Sequence, residues 1–568
     1  MEGGSVRLGR LLPWTWPVLL AILITAPLLA PGYVVGYDMV FVPDLTLRLD
    51  LFGVTTALPR AVPSDVLVAL FDEVAGGQVL NKLVLIAIPL LSGLGVTALW
   101  RHLGLGGPLA GAAATTLYVW NPFVAERFHL GAWALLLGYA ALPWLVRAAL
   151  RLREGKGLPG FLLASAGCAL TASGGITGLL VAALTLLWPG GDRRLTRRAL
   201  LGAALLNAPW LVAGLARSTP AISDPAAVPA FAARNEGYGG TLPTLLTLGG
   251  VWNADVVPDS RGQLVSVVLG FLLLVVAVVG VVIWWRQRDH LVRALVVAAV
   301  LAVVVGMAGV VAPGVLTWAV REVPGAGLFR DGQRYLGPLV LLESLGLGVA
   351  LAAVLRVVPL RWVVGATAAL VPIAAMPSLA GGDGLKAAQY PADWAEARRV
   401  LASDKGAGEF IPWPFESYRA PAWNGRRPVL DPMPRYFSRA SIVPDELVVD
   451  GRRLAGEDPR ATAIATALRE SIRAGVDPAR SLQLQGVGWI VVDRDAGGPS
   501  PRDLSPALIE EFSGLTVTVF RIAGTPTAQG SRPWVVVLVL AAWTLAGAVL
   551  AAAAAGAIAE LRRVRSRL

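Results

Sequence analysis

Two acidic residues that follow the first strongly apolar segment are the first candidates for chemistry. Asp38 and Asp44 lie in the stretch 36–44, just beyond that segment. A positioned carboxylate can take the proton of a hydroxyl group and so activate it as a nucleophile. We therefore predict that Asp38 and Asp44 are catalytic.

A mixed polar turn follows the third apolar segment. Asn121 precedes Pro122, and Glu126, Arg127 and His129 then occur within four residues. An ordinary short connection does not need an acid, a guanidinium and an imidazole together. We predict that Arg127 and His129 bind a phosphate group, with Glu126 and Asn121 in support, although Arg127 paired with Glu126 alone is an equally good interpretation.

Two further arginines stand at the start of a later apolar segment. Arg330 and Arg334 are four residues apart and share one face if the segment is helical, with Asp331 between them. Paired guanidiniums form a phosphate clamp, but arginines also extend to a membrane interface for solvation alone. Glu343 lies within the apolar segment, and an acid inside a membrane is a functional-site hypothesis by default.

The elements that must position these residues are membrane helices. The chain has 568 residues, of which 55% are hydrophobic and 15% charged, and its mean hydropathy is +0.63. Soluble proteins carry about 25% charged residues, and a bilayer span needs about 20 mostly apolar residues. Twelve segments qualify: 13–31, 79–99, 107–121, 132–150, 159–174, 176–190, 199–216, 263–285, 291–319, 337–355, 361–379 and 533–557. The count is open by two, because 159–174 and 176–190 form either a hairpin or one broken span.

The charges predict the orientation of these spans. The net charge is +11, and one set of alternate loops holds 20 basic residues against five acids. The positive-inside rule makes that side cytoplasmic, with both termini inside a plasma membrane and the long loops outside. The basic excess is therefore not a nucleic-acid footprint. A single cysteine, Cys168, excludes an internal disulfide.

Three outer segments are long. Loops 32–78 and 217–262 interrupt a helix bundle over 1–380, and 381–532 is a domain-sized insertion before the final span and basic tail, 533–568. Strand-like runs at 489–493 and 515–520 and helical patterns at 392–401 and 461–474 predict a small α/β or α+β extracytoplasmic domain. Residues 64–74 are typical of a short helix at the membrane interface, or of one that packs on the bundle.

Aromatic residues of the outer domain are candidates for binding a sugar. Trp413, Tyr418, Trp423 and Tyr436 have faces that suit sugar rings. We predict a weak acceptor platform from these four side chains. A plain hydrophobic core explains them equally well.

The order of these segments resembles a known architecture. A membrane helix, an outer loop that begins with an acid, an interfacial helix, many spans and an outer domain look like the GT-C class of polytopic glycosyltransferases. The stretches 117–123 and 135–144 are similar to the membrane part of actinobacterial cell-wall arabinofuranosyltransferases. The stretch 329–335 is similar to the same group and to YfhO-like membrane proteins. Abundant Ala, Gly, Val and Arg fit a GC-rich genome, which supports the comparison with actinobacterial proteins.

The resemblance implies an activity and a site. In this class an acid of the first outer loop acts as the base or binds a metal, and by position Asp38 matches best and Asp44 second. Many such enzymes have a tight acidic pair, whereas these acids are six residues apart, so the base and any divalent cation stay open. The implied reaction is inverting transfer of a sugar from a polyprenyl-phosphate donor to a cell-envelope glycan or lipid acceptor.

Other functions remain alternatives at this point. A lipid-glycan transporter or flippase, or a non-catalytic assembly protein, also suits many spans, but the halves show no repeat of the kind transporters often have. No phosphate-binding loop of the G-x-x-x-x-G-K-[ST] type occurs. This favours a donor that is already attached to a lipid over a nucleotide sugar or ATP.

Overall fold

The computed structural model describes residues 2–55, 59–216, 224–382, 384–403, 406–449, 451–497, 501–527 and 529–565. Part of the predicted outer loop 217–262, residues 217–223, lies outside them.

The first 380 residues fold mainly as helices. Those that surround the first outer loop are α1 (Glu2–Thr25), α2 (Ser64–Ala75), α3 (Gly77–Leu103), α4 (Pro108–Val119), α5 (Pro122–His129) and α6 (Trp133–Arg153). The middle of the bundle contains α7 (Leu158–Cys168), α8 (Ala172–Leu186), α9 (Arg193–Leu206), α10 (Ala208–Leu215), α11 (Ala227–Ala230) and α12 (Thr241–Leu246). The last part contains α13 (Leu264–Arg286), α14 (His290–Val311), α15 (Pro313–Glu322), α16 (Gly337–Val354) and α17 (Arg361–Ala375).

Twelve spans are not confirmed. Helix occurs in every predicted segment, but within the described ranges seven helices are long and apolar enough to cross a membrane, or eight if the bent pair α9 and α10 is one span. Prolines interrupt or end several of the predicted segments, because proline lacks the N–H that continues a helix. Pro209 follows the 53° bend between α9 and α10, Pro313 separates α14 from α15, and Pro122 follows the end of α4.

Helix α16 is the centre of the bundle. Of the candidate spans it is the most buried, and it packs closely against α13. A Cβ on Gly280 would overlap the backbone of Gly346, and a Cβ on Gly346 would overlap the backbone of Ala277. Small residues thus let the two backbones touch, as is common where membrane helices cross.

The predicted sheet region is present in the C-terminal part. Its strands are β2 (Ala387–Ala388), β3 (Glu409–Trp413), β4 (Tyr418–Arg419), β5 (Val429–Leu430), β6 (Leu447–Val449), β7 (Arg452–Leu454), β8 (Val487–Asp493), β9 (Leu508–Ser513) and β10 (Val517–Ile522). The main sheet has the order β3-β8-β10-β9, with β3 parallel to β8 and the other pairs antiparallel. Helices α18 (Asp393–Ser403), α19 (Met433–Tyr436), α20 (Pro459–Ala474) and α21 (Ala479–Leu484) accompany it, and α22 (Pro533–Arg565) follows.

The first outer loop joins the bundle to this sheet region. Strand β1 (Tyr33–Val34) pairs antiparallel with β2. Arg48 donates hydrogen bonds to the carbonyls of Phe437 and Pro434 at 3.0 and 3.2 Å, and Arg435 bonds Asp65 of α2 at 3.0 Å. Helix α2 buries Asp65 together with Val66 and Ala69 and leaves Leu70, Phe71 and Val74 exposed.

The arginine at the end of α3 lies far from the first outer loop. Gly77, at the start of α3, packs on the carbonyl of Val42 in the first outer loop, and Arg101 is in the last turn of the same helix. The 1.5 Å rise per residue puts Arg101 about 36 Å from Gly77. The two ends of α3 are therefore well separated. The orientation of the chain in the membrane stays a prediction.

The carboxylate of Asp393 at the start of α18 generates a stability prediction. It accepts hydrogen bonds from the Thr516 N–H at 2.7 Å and the Thr516 hydroxyl at 2.6 Å. Burial raises the pKa of Asp393, but these hydrogen bonds outweigh it and the net direction is down. We expect Asp393→Asn to cost about 1–3 kcal/mol at pH 7, measured as a lower thermal midpoint by tryptophan fluorescence.

The pH dependence follows from that direction. A carboxyl with a lowered pKa in the fold stabilises it above the unfolded value of about 3.9, and the contribution disappears as the pH falls through the lower folded value. The difference between wild type and Asp393→Asn should therefore shrink below about pH 4. Glu396→Gln, at a half-exposed side chain on the same helix, should change little. An equal loss in both variants would contradict this account.

Candidate functional site

Backbone hydrogen bonds of Asp38 and its neighbour Tyr37 fix the position of Asp38. Its N–H donates to the carbonyl of Leu130, just after α5, at 3.0 Å. The N–H of Tyr37 donates to the Pro428 carbonyl, and the Tyr37 carbonyl accepts from the N–H of Leu430, both at 2.8 Å. Tyr37 has φ +43°, a left-handed conformation that non-glycine residues seldom adopt. The bundle and the sheet region together thus fix where Asp38 lies.

The carboxylate of Asp38 is bonded to Tyr418. The Tyr418 hydroxyl donates to Oδ1 of Asp38 at 2.5 Å, and both residues are half-buried. Burial raises the pKa of Tyr418 well above its ordinary value, and the charge of Asp38 raises it further. Tyr418 therefore keeps its proton and acts as a donor that orients the carboxylate.

The position of Tyr418 depends on its neighbour in β4. Arg419 is buried and reaches the carboxylates of Asp431 at 2.9 Å and Asp493 at 3.5 Å. A buried guanidinium needs such partners, because desolvation of an unpaired charge is costly. This ion triad ties β4 to the end of β8 and so fixes the side chain that reaches Asp38.

Two guanidiniums lie around this pair. Burial lowers the pKa of Arg334, but the carboxylates of Asp331 and Asp38 outweigh it and the net direction is up. The side chain of Arg334 is nevertheless 45% exposed, so it is accessible to a ligand. Arg60 acts on the Tyr418 hydroxyl through its charge and forms an ion pair with Asp445 at 3.4 Å.

The paired-arginine geometry predicted for Arg330 and Arg334 is wrong. The segment forms two short 3-10 turns, Ala326–Phe329 and Gly332–Tyr335, instead of an α-helix. Arg330 forms an ion pair with Glu457 of the sheet region and lies over the ring of Phe231, whereas Arg334 pairs with the buried Asp331. The glycines at 325, 327 and 332 favour turns over helix, so the four-residue spacing does not place the guanidiniums on one face.

Asp44 is not part of the Asp38 cluster. Its side chain is 54% exposed and bonds Arg398 of α18 at 2.5 Å. The two acids predicted as catalytic therefore have separate partners, and the structure favours a docking role for Asp44.

Arg127 and Glu126 belong to a buried network of four charges that sequence reasoning missed in part. Arg127 donates to Glu126 at 2.7 Å, and Arg261 donates to Glu236 at 2.8 Å. All four side chains are at most 3% exposed. Arg127 also donates to the Gln333 carbonyl at 3.0 Å and lies over the ring of Phe123. The structure thus favours the structural interpretation of Arg127 over phosphate binding.

The network joins helix α5 to the segments that carry Glu236 and Arg261. Burial raises the pKa of Glu126, the nearby Glu236 raises it further, and Arg127 and Arg261 act against both. Gly249 packs directly on the network, where an added Cβ would overlap Arg261 and Glu236. A side chain at this position would push the charges apart, so Gly249 is required by close approach.

The other residues of the polar turn have defined positions. Asn121 caps α5, because its side-chain oxygen accepts from the N–H of Val124 at 3.0 Å. The ring of His129, at the end of α5, lies 6.3 Å from that of Tyr37. Through Tyr37, whose ring also lies 6.3 Å from Tyr418, His129 borders the Asp38 cluster.

Glu343 lies away from Asp38. It is buried in α16 and lines a cavity of about 30 Å³ together with Asn121 and Arg261. A cavity of this size has room for water molecules but not for a sugar or a lipid. The cavity therefore gives Glu343 no room to meet a substrate, and its Oε1 has no hydrogen-bond partner among the described residues.

The predicted acceptor platform is not assembled. Trp413 is buried in the core of the sheet region, and Tyr436 is buried in an aromatic cluster with Trp423 and Trp394. Tyr418 faces Asp38 instead. These aromatics serve mainly as core because their hydrophobic area stabilises the domain when buried.

The acids at the site do not suit a divalent cation. Across the described ranges no three His, Cys, Asp or Glu side chains come together as metal ligands. Asp38 and Asp331 both act on Arg334 through their charge, so a guanidinium already compensates these carboxylates.

Solved structures offer a comparison for the whole fold. The arabinofuranosyltransferase AftD from Mycobacteria superposes with a TM-score of 0.61 and 16% identity, over 91% of this chain and 40% of AftD. The fold is GT-C-like. A variant of AftD gives a TM-score of 0.55 at the same identity. An oligosaccharyltransferase from Archaeoglobus fulgidus gives only 0.38 at 11% identity, too low to support an argument. No protein family model and no curated protein matches the sequence.

The comparison confirms the predicted resemblance at the level of fold. Within the described ranges, seven helices, or eight if α9 and α10 form one span, are long and apolar enough to cross a membrane, which indicates a membrane protein. The chain spans less than half the length of AftD.

The buried charges generate a prediction about stability. Arg261→Met would leave Glu236 without its partner, and removal of one member of a buried pair costs about 3–5 kcal/mol. We expect a clear fall in the thermal midpoint of the purified protein. The double variant Arg261→Met with Glu236→Gln should recover most of it, because it also removes the uncompensated carboxylate.

A surface pair provides the control for this experiment. Arg399→Met removes an exposed partner of Glu396, and such pairs contribute about 0–1 kcal/mol. If the double variant is as unstable as Arg261→Met alone, the loss is one of packing and not of charge pairing.

Proposed function

We propose that this protein is an inverting membrane glycosyltransferase that transfers a sugar from a polyprenyl-phosphate donor to a cell-envelope glycan or lipid acceptor. The observation that carries the proposal is the Asp38 carboxylate, oriented by Tyr418 beside Arg334 and Arg60. The GT-C-like fold supports the class of reaction. In the proposed orientation both termini are cytoplasmic and the sheet region is extracytoplasmic.

Asp38 acts as the general base. Its carboxylate takes the proton of the acceptor hydroxyl while that oxygen bonds to the anomeric carbon. The bond between the anomeric carbon and the phosphate oxygen breaks, and the lipid phosphate leaves with its electron pair. A single displacement of this kind inverts the configuration at the anomeric carbon.

The guanidiniums of Arg334 and Arg60 stabilise the departing phosphate. Charge develops on the phosphate oxygens as the bond breaks, and preorganised cations are most effective where charge develops. His129 at the edge of the cluster can contribute a further donor. The site lies at the junction of bundle and sheet region, where a donor can enter from the lipid and an acceptor from the aqueous side.

Asp38→Asn tests the proposed base. Loss of a positioned base costs typically 10²–10⁴-fold, so we expect transfer from polyprenyl-phosphate sugars to fall by at least 100-fold. Product formation by the purified full chain, followed by mass spectrometry, measures it. Asp44→Asn should stay within a few-fold, because Asp44 is exposed and bonded to Arg398.

The possible outcomes test the role of Asp38 and the proposed class of enzyme separately. Unchanged transfer by Asp38→Asn would remove Asp38 as the base. No transfer by the wild-type protein from any polyprenyl donor would overturn the class. Donor binding without turnover would favour a carrier or an assembly role.

Tyr418→Phe tests the orienting role. The change removes only the hydroxyl that donates to Asp38, and a hydrogen bond to a charged group contributes about 1.5–3 kcal/mol. We expect kcat to fall by about 10- to 100-fold while KM for the donor changes little. Phe415→Leu, a conservative change in the domain core, should leave kcat intact. A higher KM for the donor with an unchanged kcat would instead assign Tyr418 to contact with the substrate.

A further inference from the structure

A second cavity lies at the end of the bundle opposite Asp38. Its volume is about 460 Å³, and α1, α3 and α4 enclose it, chiefly through Trp14, Trp16, Trp100, Arg101, Gly107 and Thr115. Arg101 marks the end of α3 far from Asp38. The cavity is therefore separate from the proposed transfer site.

The walls of the cavity combine tryptophan rings with threonine hydroxyls that are already hydrogen-bonded. Trp100 is buried and its indole N–H donates to the Gly106 carbonyl at 3.2 Å, while Trp16 donates to the Thr116 hydroxyl at 2.9 Å. The hydroxyls of Thr97 and Thr115 bond each other at 3.2 Å. These polar groups already have partners, so the interior offers contact to hydrocarbon rather than to a polar solute.

The mouth of the cavity is cationic. Arg101 is exposed and lies with its guanidinium carbon 5.1 Å from the centroid of the Trp14 ring. Stacking on an aromatic face leaves the in-plane N–H donors of a guanidinium available to a phosphate. The nearby Glu154 pairs with His102 at 3.8 Å, and the first N–H groups of α4 have no side-chain cap.

We propose that this cavity binds one anionic phospholipid of the surrounding leaflet, with an acyl chain between the tryptophans and the phosphate on Arg101. Charge complementarity and size argue for this occupant. The volume falls within the roughly 300–1,000 Å³ of small-molecule sites, whereas inorganic phosphate would fill only the mouth. The proposal does not depend on glycosyl transfer.

Gly107 offers a direct way to fill the cavity. Its φ of −72° suits any residue, and a Cβ placed there meets no atom within 4 Å. Gly107→Leu should therefore fold normally and occupy the space that the lipid needs. Gly547→Leu is the matched control, because a Cβ on this glycine of α22 also meets nothing within 4 Å.

Native mass spectrometry of the purified full chain tests the proposal. The probes are phosphatidylglycerol and phosphatidylcholine with the same acyl chains. We expect one retained phosphatidylglycerol, bound about five-fold more tightly than phosphatidylcholine, as one interfacial arginine contributes. Arg101→Gln should abolish this preference, and Gly107→Leu should lower retention of both lipids.

Control variants decide between a site and a general surface effect. Arg286→Gln, at an exposed arginine that ends α13, and Gly547→Leu should leave retention unchanged. Equal retention of the two lipids by the wild type, or an equal effect of Arg286→Gln and Arg101→Gln, would overturn the proposal. Full retention by Gly107→Leu would do the same, and inorganic phosphate that competes as well as the lipid would show a simple anion site.

Discussion

The backbone clamp on Tyr37 is the constraint on which the candidate site depends. Two hydrogen bonds tie Tyr37 to the segment 428–430, and a third ties Asp38 to the end of α5. The first outer loop is therefore hydrogen-bonded both to the sheet region and to the helix bundle. Without this clamp, Asp38 would lie on a loop with no fixed relation to Tyr418 or Arg334.

Two buried ion clusters support the clamp from either side. In the sheet region, Arg419 between Asp431 and Asp493 fixes β4 and with it Tyr418. In the bundle, the charges of Glu126, Arg127, Glu236 and Arg261 fix α5 and the loops packed on it. Buried charges contribute little net stability when paired but penalise any arrangement that separates them. They are thus suited to specify one geometry at the junction.

Burial divides the arginines near the site into a structural group and a group that a ligand can reach. Arg127 and Arg261 are almost fully buried and paired, so their charges are used within the fold. Arg334 and Arg60 keep nearly half of their side-chain surface exposed, and a ligand can reach them. Exposure rather than residue type distinguishes the guanidiniums that could meet a phosphate.

The sequence by itself determined the membrane character, the sheet region in the C-terminal part and the GT-C-like resemblance. These depend on composition, apolar length and local order, which are properties of neighbouring residues. It did not determine which polar residues meet. Tyr418 lies far along the chain from Asp38, Arg330 and Arg334 are separated by turns instead of sharing a helix, and Asp44 pairs with α18. Only the tertiary structure decided these contacts, because a charged side chain pairs with the polar groups that lie near it in the fold, and these can be far away in the sequence.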